Sequence, residues 1–409
     1  MPSAPLPHAL FLSHRIPYPP DKGDKIRAWH MLEHISRTHR VHLGCFVDDP
    51  DDMQHEAYLR SVCATVRCVP IDRRMQKLRA LAHIRPGRPL TLDFYRSADL
   101  SQWVRDTLAA QPVALGFAYC SAMAPYLMGH AVGRRILDMV DVDSEKWAEY
   151  ARRTSWPASL VWAREGRTLL RFEAEAAQAF DRTLLVSEAE TTRFATLAPQ
   201  VADRLDWVEN GVDLQRFSPS HGFPTPFKNA GPHLVFTGTM DYWPNVDAVS
   251  WFARDVLPLL RQSHPGAQFS IVGASPAPEV LALAALPGVA VTGRVADVRP
   301  YMAHAGAIVA PLRIARGIQN KVLEGLAMAR PVVASPEAHE GIHAEAGRDL
   351  LVADGAQAWA GAVGAVLAGQ HPGLGAAGRA AVERAYAWPA TLRRLDGIIT
   401  AAPAETVLR

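Results

Sequence analysis

Several features that would settle a function class at once are missing from this sequence. Its 409 residues contain four cysteines, Cys45, Cys63, Cys68 and Cys120. They lie in apolar segments with no C-x-x-C spacing, so they read as buried thiols of a reducing compartment and not as a disulfide framework. No apolar stretch approaches the roughly 20 residues of a membrane span, and residues 1–8 lack a signal-peptide pattern. A cytoplasmic chain is expected, with surface attachment at the inner face of a membrane left open. An excess of one charge is absent too. Lysine and arginine total 43 against 41 acidic residues, a net charge of +2, so nothing global points to nucleic acid or another polyanion.

Two further signals fail on inspection. His339-Glu-Gly-Ile-His343 matches H-E-x-x-H, but Gly341 and the nearby Pro336 disfavour the helix that would bring both histidines onto one metal. Gly373-Leu-Gly-Ala-Ala-Gly378 matches G-x-G-x-x-G, yet it follows His371-Pro372 and not a strand, so it is no dinucleotide fingerprint. Neither a metal nor a dinucleotide cofactor is expected.

What the chain does contain is alternation. Its length suits two domains of about 200 residues. Short apolar runs at 9–12, 41–47, 65–71, 113–118, 135–140 and 183–187 read as strands, interleaved with helical patterns. A second series follows at 234–237, 268–272, 289–292, 307–311, 331–334 and 350–352. Asn210-Gly211 turns the chain between the two, and 218–232 is linker-like. The expectation is α/β: two doubly wound, Rossmann-like domains facing a central cleft, over 1–212 and 213–385, with a helix-forming tail at 386–409 packing back across the seam.

The stretch 312–335 carries the most chemistry. A strand at 307–311 feeds a basic loop into a crossover helix at 319–329, with Arg316, Asn320 and Lys321 at the helix mouth. Free backbone N–H groups and the helix dipole there favour an anion. Glu324, three residues beyond Lys321, shares its face, so the pair suits a ligand with both negative charge and hydroxyl groups. A solvated surface pair is the other reading of Lys321 and Glu324 alone. Two more strand ends in the same half add Gly238 with Asn245, the latter expected to cap the following helix, and Gly293, Arg294 and Val295. Together they outline a pocket with a base near 293–295, a phosphate near Gly238 and Lys321, and a ribose diol on Glu324. In the first half, Gly23 permits close backbone approach in a strand–loop–helix turn. Asp141-Val-Asp143 follows the strand at 135–140, as a site element or a surface turn. The segment 71–88 holds Arg73, Arg74, Lys77, Arg79, Arg85 and Arg88 alongside Met75, Leu78, Leu81 and Ile84 at helical spacing. It fits a surface helix that touches anionic lipid, and equally one whose apolar stripe faces the core.

Asn-Gly-Val-Asp at 210–213 with Phe217, Val-Ser-Glu-Ala-Glu at 186–190 and the run KVLEGLAMARPVVAS from Lys321 to Ser335 resemble the retaining glycosyltransferases of family four, which have the GT-B fold. More narrowly, YPPDKGDKIR (Tyr18 to Arg27), VDVDSEKW (Val140 to Trp147) and GTMDYWPNVDA (Gly238 to Ala248) are similar to the sugar transferases associated with PEP-CTERM exopolysaccharide systems. The resemblance implies a UDP- or GDP-sugar donor held mainly by the second half. It also implies a lipid-linked or polysaccharide acceptor held mainly by the first, retention at the anomeric carbon, and no obligatory metal. Glu324 matches the second glutamate of the family's E-x7-E motif and is expected on the donor ribose. Arg316 stands where the first glutamate would be, which suggests a guanidinium contact to phosphate or a sugar acid. The basic pair that commonly follows the first strand of the second half is absent, and Arg316 and Lys321 are expected to replace its charge. Stabilisation of the leaving diphosphate falls to Arg316, Lys321, the helix terminus and the Gly23 and Gly238 loops. Asp143 is expected among the catalytic residues with Arg316 and Lys321, facing the acceptor or sugar hydroxyls together with Ser144, and Asp141, Ser144, Lys25 and Arg27 are the expected acceptor-side groups. Two other readings fit the same motifs: a catalytically silent GT-B protein that binds a nucleotide or organises an assembly, and a GT-B nucleotide-sugar epimerase.

Overall fold

The computed structural model describes residues 5–21, 23–82, 85–229, 231–315 and 317–401. The chain divides into two compact units, Met1–Glu209 together with Leu392–Arg409, and Asn210–Thr391. The terminal segment 386–409 is thereby split between the two, at Leu392.

In the first unit, seven strands run parallel: β1 His8–Ser13, β2 Arg40–Val47, β3 Thr65–Pro70, β4 Val113–Tyr119, β5 Arg134–Val140, β6 Arg182–Leu185 and β7 Leu205–Trp207. Their order is β3-β2-β1-β4-β5-β6-β7. Almost every central-strand residue is buried, as a parallel sheet covered on both faces requires. Phe11 and Phe117 stack across the β1–β4 pair with ring centroids 4.9 Å apart. Two buried cations hold this unit together. The Arg27 guanidinium forks onto Asp138 (Nε–Oδ2 2.8 Å, Nη2–Oδ1 3.1 Å) and donates through Nη1 to the Val208 carbonyl at 2.6 Å. The Lys25 ammonium reaches Asp21 at 3.0 Å and Asp52 at 3.1 Å. Burial pushes the Asp138 pKa up, and the Arg27 charge offsets only part of that rise.

The second unit holds β8 His233–Thr237, β9 Gln268–Val272, β10 Val289–Gly293, β11 Ala307–Ala310, β12 Val332–Ala334 and β13 Leu351–Val352. These are also parallel, in the order β10-β9-β8-β11-β12-β13. Both sheets are thus doubly wound. The strand order reverses between β1 and β4 in one, and between β8 and β11 in the other, and ligand sites of such sheets lie at the carboxyl ends of those strands.

The helix that crosses from β11 to β12 spans Asn320–Ala327. Val322, Leu323, Leu326 and Ala327 are fully buried against the sheet, each larger side chain contributing about 1.5–3 kcal/mol. Lys321 and Glu324 take the opposite, half-buried face. The Gly373–Gly378 run forms the start of the Leu374–Ala385 helix. A Cβ on Gly375 would lie 2.1 Å from the Ala329 carbonyl oxygen, so this glycine serves close helix packing.

Candidate functional site

A cluster of polar groups lies at the switch point of the second unit. The loop after β8 starts with Gly238, whose N–H donates to the Val272 carbonyl at 3.1 Å. A Cβ on Gly273 would fall 1.6 Å from the Gly238 oxygen. The loops after β8 and β9 therefore touch backbone to backbone, and only glycine at 273 permits it. The helix that follows, Trp243–Trp251, takes Pro244 in its first turn. Asn245 thus stands inside the helix and is not its cap, a correction to the expected capping role. Its buried Nδ2 donates to the Thr239 carbonyl at 2.9 Å, and its Oδ1 accepts from Lys321 Nζ at 3.2 Å. The sequence gives no hint of this contact across 76 residues.

Lys321 is further confined by the Phe236 ring, whose centroid lies 5.1 Å from Nζ, and by the Gln319 Oε1 at 3.5 Å. Burial lowers its pKa to about 8, against the pull of Glu324. Burial likewise raises the Glu324 pKa to about 7, against Lys321 and Arg216. The Arg216 charge, which also bears on Asp297, was not among the residues picked out from sequence. Its signal was available: it lies three residues beyond Asp213 in the Asn-Gly-Val-Asp stretch. At neutral pH the cluster offers a half-buried cation and a carboxylate close to its protonation midpoint, a setting for an anion and hydroxyl groups side by side.

The remaining expected residues of this unit fall nearby or apart. Asn320 opens the crossover helix, and its Oδ1 accepts from Asn210 Nδ2 at 3.4 Å. Gln319, the residue before it, supplies no side-chain cap, and its carbonyl accepts from Val322 N at 2.9 Å. Arg313 forks onto Asp247, with Nε–Oδ2 2.9 Å, and ties the loop after β11 to the Trp243–Trp251 helix. Arg316 lies outside the described residues. Gly293 ends β10 with φ +68°, Arg294 is exposed, and Val295 packs against the core. These three stand at the end of an edge strand, two strands away from β8.

In the first unit the structure separates the expected residues into two groups. Gly23 is exposed at the start of the Gly23–Ser36 helix. Lys25 and Arg27 from the same helix have side-chain exposures of 0% and 1% and are engaged in the internal ion pairs described above. Asp141 and Asp143 are brought together by Lys146, whose Nζ is 2.9 Å from a carboxylate oxygen of each. Burial opposes the Lys146 charge, but the two carboxylates hold its pKa well above the usual value. Ser144 donates through N (3.1 Å) and Oγ (2.5 Å) to the buried Glu173, whose pKa burial raises to about 8. Among the described residues, no group of three or more His, Cys, Asp or Glu side chains is arranged to hold a metal ion.

At the β1–β4 switch point of this unit lies a cluster that the sequence reading passed over. Arg15 bridges Asp24 at 2.5 Å and Asp48 at 3.0 Å, and the His14 Nε2 is 3.5 Å from Asp24. The His14 ring stacks on Tyr119. Cys120 and Asp24 hold its pKa well above the usual value in spite of burial. Its position directly after β1 was the available signal.

Residues 231–369 match the family model described as "Glycosyl transferases group 1". That match contains the Gly238 loop, Asn245, Lys321 and Glu324. Over nearly their whole lengths, both units superpose on solved glycosyltransferases. The fold is GT-B. Sucrose-phosphate synthase from Thermosynechococcus elongatus shares 16% identity over 96% of this chain and 98% of its own, with a TM-score of 0.69. Anabaena HepE, solved with UDP and glucose, shares 13% over 97% and 100%, with a TM-score of 0.66. WaaG, a glycosyltransferase involved in lipopolysaccharide biosynthesis, shares 15% over 96% and 100%, with a TM-score of 0.65. No curated protein matches the chain by sequence.

Proposed function

We propose that this GT-B chain is a retaining glycosyltransferase of the hexosyltransferase type. It moves a sugar from a UDP- or GDP-sugar to a lipid-linked or polysaccharide acceptor, in exopolysaccharide biosynthesis at the inner face of a membrane, with no obligatory metal. The observation that carries this reading is the Lys321–Glu324 pair. Asn245 and the Phe236 ring position the cation at the β8–β11 switch point, inside the segment that matches the group 1 family. In the reaction, charge builds on the departing diphosphate. In this reading Lys321 and the Asn320 helix mouth receive it, and Glu324 accepts hydrogen bonds from the donor ribose. Arg316 contributes a further cation. Asp141, Asp143 and Ser144 are assigned to the acceptor or sugar hydroxyls, held in place by Lys146 and Glu173. HepE in complex with UDP and with UDP-glucose supports a uridine donor as the first one to test.

A thermal-shift screen across UDP-, GDP- and ADP-sugars, followed by transfer assays with the stabilising donor, tests the proposal. A donor that binds only the folded state raises the melting temperature. Stabilisation by none of them, or donor binding without hydrolysis or transfer to any lipid-linked or saccharide acceptor, would refute it. Epimerised donor formed without an acceptor would replace transfer by isomerisation.

A further inference from the structure

We propose that the first unit docks on an anionic lipid surface through a two-part face, formed by the Arg73–Ala82 helix and by the tip between the Asp143–Arg153 and Ala158–Ala179 helices. The proposal deepens the functional reading by naming the surface that meets the membrane. Its test uses no sugar donor, so the two can fail separately.

The Arg73–Ala82 helix is oriented against the usual rule for a surface helix. Gln76 and Ala80, one turn apart, face inward and are buried. Met75 and Leu78 face outward and are 50% and 62% exposed. Among the residues of this helix whose burial is described, a helix that merely covered the core would bury Met75 and Leu78 and leave Gln76 outside. Arg73, Arg74, Lys77 and Arg79 are exposed on the same helix, and from 73 to 92 the sequence carries six basic residues and no acidic one. An outward apolar pair set among cations is the pattern of an element lying in the headgroup region of an anionic bilayer.

A second element of the same unit repeats the pattern. Trp156 is 77% exposed and Leu160 61%, at the tip where one long helix ends and the next begins. Arg152 and Arg167 flank them, both exposed. Hydrogen bonds fix this tip to the basic segment. One turn beyond Leu160, Arg164 donates to the Arg85 and Arg88 carbonyls, the latter at 3.0 Å. The buried Glu165 accepts from Leu90 N at 2.7 Å and Thr91 N at 2.9 Å. The Arg73–Ala82 helix packs on the Leu90–Phe94 helix, which in turn packs on the Ala158–Ala179 helix, so both elements belong to one packed group of the first unit. Tryptophan with neighbouring arginine suits the membrane interface, where the ring is partly desolvated and the cations remain near phosphate. No helix among the described residues is long and apolar enough to cross a membrane, so this contact lies on the bilayer.

The full chain is to be mixed with sedimentable vesicles of phosphatidylcholine alone and of phosphatidylcholine with phosphatidylglycerol. The expected result is binding to the anionic vesicles only, weakened by salt. Trp156→Gln with Leu160→Gln, and separately Met75→Gln with Leu78→Gln, each lower the partition coefficient about tenfold or more. Since these side chains are exposed, melting temperatures stay within about a degree of the parent. Failure of the folded parent to bind anionic vesicles would overturn the proposal, as would binding that survives both double variants. A lipid-free dimer that is lost in the Trp156→Gln, Leu160→Gln variant would overturn it too, by giving the face to a second copy of the chain.

Discussion

Replacing Glu324 by glutamine keeps the side chain's shape and removes its charge, and it should make the ligand-free protein more stable while making it bind nucleotide less well. The folded-state pKa of about 7, against an ordinary 4.5, means that the folded chain holds this proton more tightly than the unfolded one. Stability is therefore lost as pH rises from 4.5 through 7, and the loss is complete above about pH 8. The gap corresponds to about 3 kcal/mol. The attraction of Lys321 is already contained in it, so Glu324→Gln should gain up to that amount at about pH 8 and nothing at about pH 4. For a unit of this size each kcal/mol is worth about 2–4 °C, so a scanning-fluorimetry series across pH would show an upward shift of several degrees that fades on acidification. Hydrogen bonds from ligand hydroxyls to a charged group contribute about 1.5–3 kcal/mol each. Calorimetric titration with UDP or GDP should accordingly show affinity falling about tenfold or more. Destabilisation at pH 8, or unchanged nucleotide affinity, would refute the assignment of Glu324 as a ligand-facing carboxylate held at a cost in stability.

Other perturbations test the frame around the site. Arg27→Met leaves Asp138 buried without its partner and should cost about 3–5 kcal/mol in guanidinium denaturation, much of it regained by adding Asp138→Leu. Gly273→Ala drives a methyl group into the Gly238 oxygen, so it should lower the melting temperature and abolish nucleotide-induced stabilisation. Gly361→Ala is the matched control, in the Ala356–Leu367 helix with nothing within 4 Å of the added methyl. It should stabilise by about 0.5–1 kcal/mol in the same assay.

Elements that depend on local pattern were legible in the sequence. Gln268–Val272 is found where the apolar run places it, and the crossover helix at Asn320–Ala327 lies within the expected 319–329. Leu205–Trp207 is a short, half-buried strand whose three residues carry no period of their own. What pattern could not supply was partnership across the chain. Lys25 and Arg27 read as basic residues beside a glycine-containing turn, and only the fold reveals Asp52 and Asp138 against them. Asn245 looked like a cap because a short polar residue near a helix start usually is one. Pro244 opens the helix earlier and turns the amide toward Lys321 instead. Periodicity at 73–82 likewise gave the spacing of Met75 and Leu78 but not which side of the helix meets the core, and burial of Gln76 and Ala80 settled it.

The first unit is assembled from both ends of the chain, and this bears on the order in which the protein is made. The Arg393–Thr400 helix belongs to it through His34 on Asp396 at 2.6 Å, Arg394 on Asp206 at 2.6 Å and Arg134 on the Ala401 carbonyl at 2.5 Å. On the ribosome, domains usually fold in the order of synthesis. Here the unit that begins first is completed last, after the whole of Asn210–Thr391 has emerged. A nascent chain released short of residue 392 would carry a finished second unit beside an open first one, so loss of the last helix should be felt as impaired folding at the opposite end of the sequence.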